Sequence, residues 1–140
     1  MFEKRAQVLH VRILRAHGLR DTQWFGTQDP YCKCWCSSTL DRDKKRTAVV
    51  TDGGEAAAWD EEFSFFPRKA DREFLFFEVK NENQMRNASI GICRLPIKQI
   101  VDAGDSVQCK TLQLIDGSGN EAGTLEELAV KHLIACATPV

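Results

Sequence analysis

Three cysteines, Cys32, Cys34 and Cys36, recur at every second residue. Three thiols in one run invite a zinc reading, because thiolate is a favoured zinc ligand. The period argues against it. Residues two apart on a strand stand roughly 7 Å apart at the backbone while zinc holds each sulfur at about 2.3 Å, so one ion does not collect all three. They read instead as small hydrophobes on the inward face of a strand, and Cys93, Cys109 and Cys136 as further strand or strand-end residues. His10, His17 and His132 sit on separate segments with no Ser or Cys partner at a catalytic spacing. Asp60, Glu61 and Glu62 alternate between the two faces of a strand, and no second acid pair opposes them. Gly117-x-Gly119-x-x-x-Gly123 has a last interval one residue too long for a phosphate loop and lies in no strand-to-helix unit. No catalytic constellation emerges, and a non-enzymatic role is expected.

The remaining chemistry is electrostatic and interfacial. Lys33 and Trp35 alternate with the inward cysteines and so point outward. In the next segment Lys44 and Arg46 share one face while Lys45 takes the other. Each cation near an anionic leaflet contributes about 1 kcal/mol, which gives weak binding that salt largely screens. The plain alternative for Asp41 to Arg46 is a soluble charged turn, with Asp41 and Asp43 diluting the patch. Trp24 and Phe25 lie in the stretch between Gly18 and Asp29-Pro30, which reads as a long loop. Burying both rings in a membrane interface would contribute roughly 3 to 5 kcal/mol. The alternative is that one of them, Phe25 more readily than Trp24, packs over the end of the fold. Gln84, Met85 and Arg86 fall in a later loop that reaches toward the same plane.

These residues must be positioned by strands. Leu9, Val11 and Ile13 alternate with His10 and Arg12, and Cys32, Cys34 and Cys36 repeat the pattern. Further strands are expected at 47–50, 63–66, 74–79, 90–93, 111–114 and 128–135, and helix at Pro96 to Ala103, stopped by Gly104, with a second short helix over Gly123 to Leu128. Short strands outnumbering helices favour an all-β antiparallel sandwich. The 140 residues suit one domain, 1–140 with its core over about 8–135, large enough to bury roughly 70% of its extended surface without covalent staples. Apolar residues make up 43% and charged residues 28%, and the mean hydropathy is -0.33, as for an ordinary folded soluble chain. Nineteen basic against twenty acidic residues leave a net charge of -1, which excludes a globally basic surface and gives no reason to expect nucleic acid as a partner. Val8 to Leu14 is too interrupted for a signal-peptide core, and Phe2 and the closing Ala137-Thr138-Pro139-Val140 carry no lipidation signal. A cytoplasmic chain with reduced thiols, peripheral to membrane at most, is expected, with the sequon at Asn87 unused.

One ordered series stands out: Ala16-His17-Gly18-Leu19 after the first strand, Gly26-x-x-Asp29-Pro30-Tyr31, Arg46-Thr47, Trp59-Asp60-Glu61 with Phe63 and Phe65, then Phe77-x-Val79 leading to Ile90-Gly91. Together these motifs resemble a C2 domain over roughly Val8 to Ala135. Ala58 stands where that family usually has Pro, and the turn from Val50 to Ala58 is a few residues long. The resemblance implies an eight-stranded antiparallel β-sandwich, in the permuted topology that starts with the Leu9-Val11-Ile13 strand, with three loops gathered at one end. It also implies two sites. End loops of the family often bind calcium, which wants six to eight oxygens, mostly carboxylate. The matching positions, counted back from Gly91 for the third loop, are Gln23, Asp29, Lys80, Glu82 and Ala88, and three of those five are not acids. Asp21 is a substitute at the wrong spacing, and Asn81, Asn83 and Asn87 add only neutral oxygens. On this register Lys80 stands where calcium ligands would converge, repels a divalent ion and ties the loops together near Asp29 or Glu82; the alternative is a solvated lysine. No cofactor is expected. The second implied site is a lysine-rich sheet groove, here Lys33, Trp35, Lys44, Lys45 and Arg46. The expected function is a calcium-independent membrane-targeting or adaptor module, contacting acidic phospholipid or phosphoinositide through the groove and through Trp24 and Phe25. The alternatives are a protein-interaction domain without a lipid role, and calcium-triggered docking through Asp21, Asp29 and Glu82.

Overall fold

The computed structural model describes residues 3–83 and 88–137, with the backbone alone for 3–7, 128 and 130–137. The strands are β1 (Glu3–His17), β2 (Pro30–Cys36), β3 (Lys45–Arg46), β4 (Ala57–Phe65), β5 (Phe74–Asn81), β6 (Ala88–Pro96), β7 (Gln108–Ile115) and β8 (Glu121–Ala137), with helix α1 (Ile97–Asp102) between β6 and β7. Their hydrogen-bonded order is β3-β2-β5-β6-β7-β8-β1-β4. Ile92 and Ile115 are the register pair joining β6 to β7, and at that thin junction the ribbon folds over into two antiparallel layers. The first strand is the one carrying Leu9, Val11 and Ile13, and it runs between β4 and the last strand β8, as the permuted sandwich requires.

Alternation does the positioning. Leu9, Val11 and Ile13 are fully buried, and a register shift between Ile13 and Arg15 then moves Ala16 onto the inward face. A bulge of this kind turns a strand end without ending its ladder. Cys32, Cys34, Leu75, Phe77, Val79, Ile90, Leu114 and Leu125 fill the space between the layers at 0% exposure. Each large side chain buried there contributes about 1.5 to 3 kcal/mol. Ile97 and Ile100 of α1 plug the same space, and Gly104, at φ 70, ends that helical segment as read from the sequence. At Gly91 a Cβ would stand 2.9 Å from that of Ala122 and 3.0 Å from that of Leu114, so the layers touch where the Ile90-Gly91 motif lies.

Two expectations fail locally. Residues 123–128 are not helical but part of β8: Ala122, Leu125, Glu127 and Ala129 are buried with a strand-like spacing, and Gly123, at φ 125, lies against the backbone of His17 and Gly18. A short apolar run cannot declare its own period, and pairing with both β1 and β7 decided it. Residues 47–50 form no strand. The regular ladder stops after Lys45–Arg46 because, although Thr47 N still donates to Cys32 O, the return bond from Cys32 N goes to the Thr47 Oγ1 at 2.9 Å instead of to a main-chain carbonyl. The expectations for Gln84, Met85, Arg86 and Asn87 lie outside the described residues.

Among the described residues one buried carboxyl lies without a hydrogen-bond partner. Glu127 is 0% exposed, and neither carboxylate oxygen has a hydrogen-bond partner. Desolvation pushes its carboxyl from the ordinary 4.5 up to about 7, with Lys110, opposite it on β7, pulling slightly the other way. Between those values the unfolded chain has released this proton and the folded chain has not, so stability falls as pH rises and levels off above about 7. The loss integrates to about 3 kcal/mol. Thermal melts of Glu127→Gln are expected to lack this segment of the pH dependence between 4.5 and 7; a wild-type slope in the variant would refute the assignment.

Candidate functional site

The loops that follow β1 and β5 meet at one end of the sandwich, and a side-chain amide joins them. Asn81, the last residue of β5, is 0% exposed. Its Nδ2 donates to Gln23 Oε1 at 2.7 Å and to Thr22 Oγ1 at 3.2 Å, and its Oδ1 accepts from Asp29 N at 2.8 Å. Glu82 N donates to Asp29 O at 3.0 Å, and Asp52 N donates to Asp29 Oδ1 at 2.8 Å. Within the first loop, Asp21 Oδ1 accepts from Gln23 N, and buried Gln28 accepts from Thr22 while donating to the carbonyls of Arg20 and Gly54. The first and third loops are therefore clasped by neutral amides and main chain.

This corrects the register expected for Lys80. Along β5, Val79 points into the core, Lys80 lies opposite Tyr31 on the outer face, and Asn81 turns back toward the loops. A register shift between Val79 and Lys80 against β6 means that counting back from Gly91 lands one residue short of the side chain at the mouth. Among the described residues Lys80 forms no ion pair with Asp29 or Glu82; Glu82 pairs with Arg46 at 3.5 Å. Ala88 pairs in register with Asn81 and brings only a methyl group. A cleft of about 570 Å³ opens between the first and third loops, with Arg20 and Trp24 among its walls. Arg20 is held there by the carbonyls of Ser89 and Ile90 and by Asp116 at 3.6 Å. Hydrogen bonds from the Asn120 and Ser118 amides, with Arg20 nearby, hold the Asp116 carboxyl below its usual range.

Among the described residues the donors at the loop mouth do not match a calcium set. One Asp29 carboxylate oxygen already accepts from Asp52 N, Gln23 Oε1 accepts from Asn81 Nδ2, and Asn81 Oδ1 accepts from Asp29 N. Six to eight converging oxygens, mostly charged, are what that ion requires. Among the described residues no three His, Cys, Asp or Glu side chains converge in metal-binding geometry, the cysteine run included. Burial pushes the Cys36 and Cys93 thiols up to about 12 and raises Cys32 and Cys34 as well, so they pack as apolar groups.

The outer face of β2, β3 and β5 forms the second candidate surface. Trp35 and Phe76 stack at 5.5 Å between centroids, and Phe74 tilts against Phe76 at 6.2 Å. Cations lie over three rings: Lys44 over Trp35 at 4.3 Å, Arg46 over Tyr31 at 4.1 Å and Arg94 over Phe74 at 4.4 Å. Lys33 stands between Arg46 and Glu78 in register, and Lys80 lies one row nearer the loops. Lys44 also pairs with Asp41 at 3.3 Å. Lys45 does not join this face. It lies opposite inward-facing Cys34 and lines a cleft at the other end of the molecule. Sequence reasoning missed Lys80, Phe74, Phe76 and Arg94 as members of this face. The alternation of Phe74 and Phe76 with buried Leu75 and Phe77 was the available signal, but four consecutive apolar residues conceal which two face out.

Trp24 and Phe25 project from the tip of the first loop at 93% and 83% exposure, and neither packs over the sandwich end. Gly26, at φ 74, makes the turn behind them.

Residues 7–114 match the C2 domain family. Synaptotagmin-1 of Arabidopsis thaliana is 32% identical over 114 residues, an alignment covering 81% of this chain and 20% of that protein. The chain thus spans about a fifth of this relative's length. A C2 domain of plant extended synaptotagmin 1, the one lettered A in that protein, superposes with a TM-score of 0.81 at 28% identity, over 91% of this chain and 95% of that one. A C2 domain-containing protein from a putative elicitor-responsive gene has the same fold, with a TM-score of 0.69 at 16% identity over 93% and 91% of the two chains. With the fold, the strand order and the ordered motifs in agreement, the chain belongs to the C2 domain family.

Proposed function

We propose that this C2 domain is a membrane-targeting module that docks on acidic phospholipid or phosphoinositide without calcium. The observation that carries the reading is the pair of fully presented rings, Trp24 and Phe25, on a loop that hydrogen bonds to the Asn81 side chain hold in place. Exposed aromatics of this size gain roughly 1.5 to 3 kcal/mol each on entering an apolar interface. Lys33, Lys80 and Arg46 occupy the rows of the outer face nearest that loop, where they meet a leaflet entered by the two rings. Each cation there contributes about 1 kcal/mol, and salt weakens the sum. Trp35 and Phe76, flanked by Lys44 and Arg94, form an aromatic platform further from the loops, suited to an anionic headgroup lying against the sheet. Similarity to synaptotagmin C2 domains supports the lipid reading. No helix among the described residues is long and apolar enough to cross a membrane, so the attachment proposed is peripheral.

Vesicle sedimentation tests the surfaces. Binding to phosphatidylcholine vesicles containing phosphatidylserine and a phosphoinositide is expected to be the same in calcium and in chelator. It should fall at least about tenfold in Trp24→Ala/Phe25→Ala, the loss of more than about 1.4 kcal/mol of interfacial burial. Lys33→Ala/Lys80→Ala should bind more weakly and with a shallower salt dependence. Absence of binding at low salt would leave a protein-interaction role, and binding that requires calcium would defeat the proposal.

The clasp has its own test. Gln23→Asp/Asn81→Asp replaces two mutually bonded amides with two carboxylates beside Asp29. In chelator the double variant should lose about 1 to 3 kcal/mol of stability through lost hydrogen bonds and like-charge repulsion. Millimolar calcium should raise its melting temperature, while the wild type should show neither a shift nor a saturable calorimetric heat.

A further inference from the structure

At the end of the sandwich opposite Trp24 and Phe25, the hydrogen-bonded order leaves two edges, β3 and β4, facing each other across an open seam. On one side β3 is only two residues long, and beyond its ends the β2 amides of Cys32 and Cys36 are taken by the hydroxyls of Thr47 and Thr39. The β4 side is longer and only partly guarded. Near its start Asp60 takes a positive φ of 52, and Glu61 Oε2 accepts from Ala48 N at 2.8 Å. Toward its end the guard stops. Among the described residues no loop or turn backbone bonds to residues 57–66, so the outer edge of Phe63–Phe65 is unpaired main chain.

The side chains around that open stretch are arranged by sign. Glu62, exposed and 3.9 Å from Arg12, lies on one side of it. Beyond the other end is a cleft of about 400 Å³ lined by Leu40, Lys45, Ser64, Phe66 and Arg68, with Asp43 at its rim. Leu40 and Phe66 are 51% and 67% exposed. Lys45 and Arg68 form no ion pair among the described residues, whereas Asp43 lies 4.0 Å from Arg42. Along one strand edge the order is therefore acid, free backbone, exposed apolar side chains, free cation. Reversed and laid alongside itself, such an edge sets acid against cation at both ends, and this self-complementarity is what a two-fold interface requires.

We infer that the end of β4 is a homodimerisation edge, taking a second copy of this chain antiparallel about a two-fold axis near Ser64. Main-chain bonds join the two Phe63–Phe65 segments, Phe66 of each copy covers the join, and Glu62 of one copy, opposite Phe66 of the other, reaches that copy's Arg68 as its diagonal neighbour. An unpaired edge of this kind templates pairing with another chain. A strand pair with two apolar contacts is smaller than a standard protein interface, so the dimer is weak, with a dissociation constant of order 10 to 100 μM. Because the strands run antiparallel, the two loop ends point in opposite directions, and on the membrane reading above the dimer presents Trp24 and Phe25 at both poles. That consequence rests on the membrane reading; the dimer does not.

Sedimentation equilibrium of the free protein in solution, without lipid, tests the interface. The wild type should associate to a dimer, and Glu62→Arg and Arg68→Glu should each weaken it at least tenfold. An equimolar mixture of the two single variants should regain association, since each then supplies the charge the other lacks, a rescue that misfolding or a purely structural role would not produce. Amide hydrogen exchange should slow at 63–66 as concentration rises. A monomer at millimolar concentration overturns the inference, as does a dimer that both charge reversals leave intact. Failure here leaves vesicle binding unaffected, and failure of vesicle binding leaves the dimer standing.

Discussion

The buried carboxamide of Asn81 is the interaction on which the loop end of this domain depends. Loops at the end of a β-sandwich have few apolar contacts of their own, and their geometry must come from hydrogen bonds, from disulfides or from a bound cation. Here one amide uses both of its ends: it donates to the first loop at Thr22 and Gln23 and accepts from Asp29 at the entrance to β2. Out of water each of these bonds is costly to leave unmade, so the three act together as a clasp. Gln23 and Asn81 are both neutral, so the bond between them joins the two loops without charge.

The clasp and the outer sheet face share one geometric cause. The alternation of β5 sends Val79 to the core, Lys80 to the outer face and Asn81 to the loops, and β2 receives it in unbroken register from Pro30 to Cys36. A one-residue slip would exchange the roles of Lys80 and Asn81, placing an ammonium at the mouth and an amide on the groove. The same alternation sets Trp35 against Phe76 and sends the cysteines inward, where burial keeps their thiols protonated. Three rings on that face carry a cation above them, which keeps guanidinium and ammonium groups close to the sheet rather than extended into solvent. The two ends of the molecule differ accordingly, one presenting large rings on a hydrogen-bonded loop and the other an open strand edge.

Much of this is legible in the residues and some of it is not. The inward stripe of Leu9, Val11 and Ile13, the alternating cysteines, α1 with its glycine stop, and the two-layer architecture follow from period and punctuation, which act over a few residues. The ordered motifs from Gly18-Leu19 to Ile90-Gly91 carry the family. Residues 123–128 mislead because six residues do not distinguish a helix from a strand once glycine is present. Thr47 misleads because a hydroxyl that completes a ladder looks like any strand threonine. Lys45 groups with its neighbours in sequence, yet a strand sends neighbours to opposite faces, and it lines the far cleft.

What the sequence determined alone was the class of the fold, the composition of its core and the loop on which Trp24 and Phe25 stand, because hydrophobic periodicity and turn chemistry are local properties. What only the tertiary structure decided was which side chain reaches the loop mouth, which cations share a face and which strand edge stays open. Those depend on the register between β5 and β6 and on the order of strands across the sandwich. Both are set by pairing partners far apart in the chain, and residue counting within one segment does not reveal them.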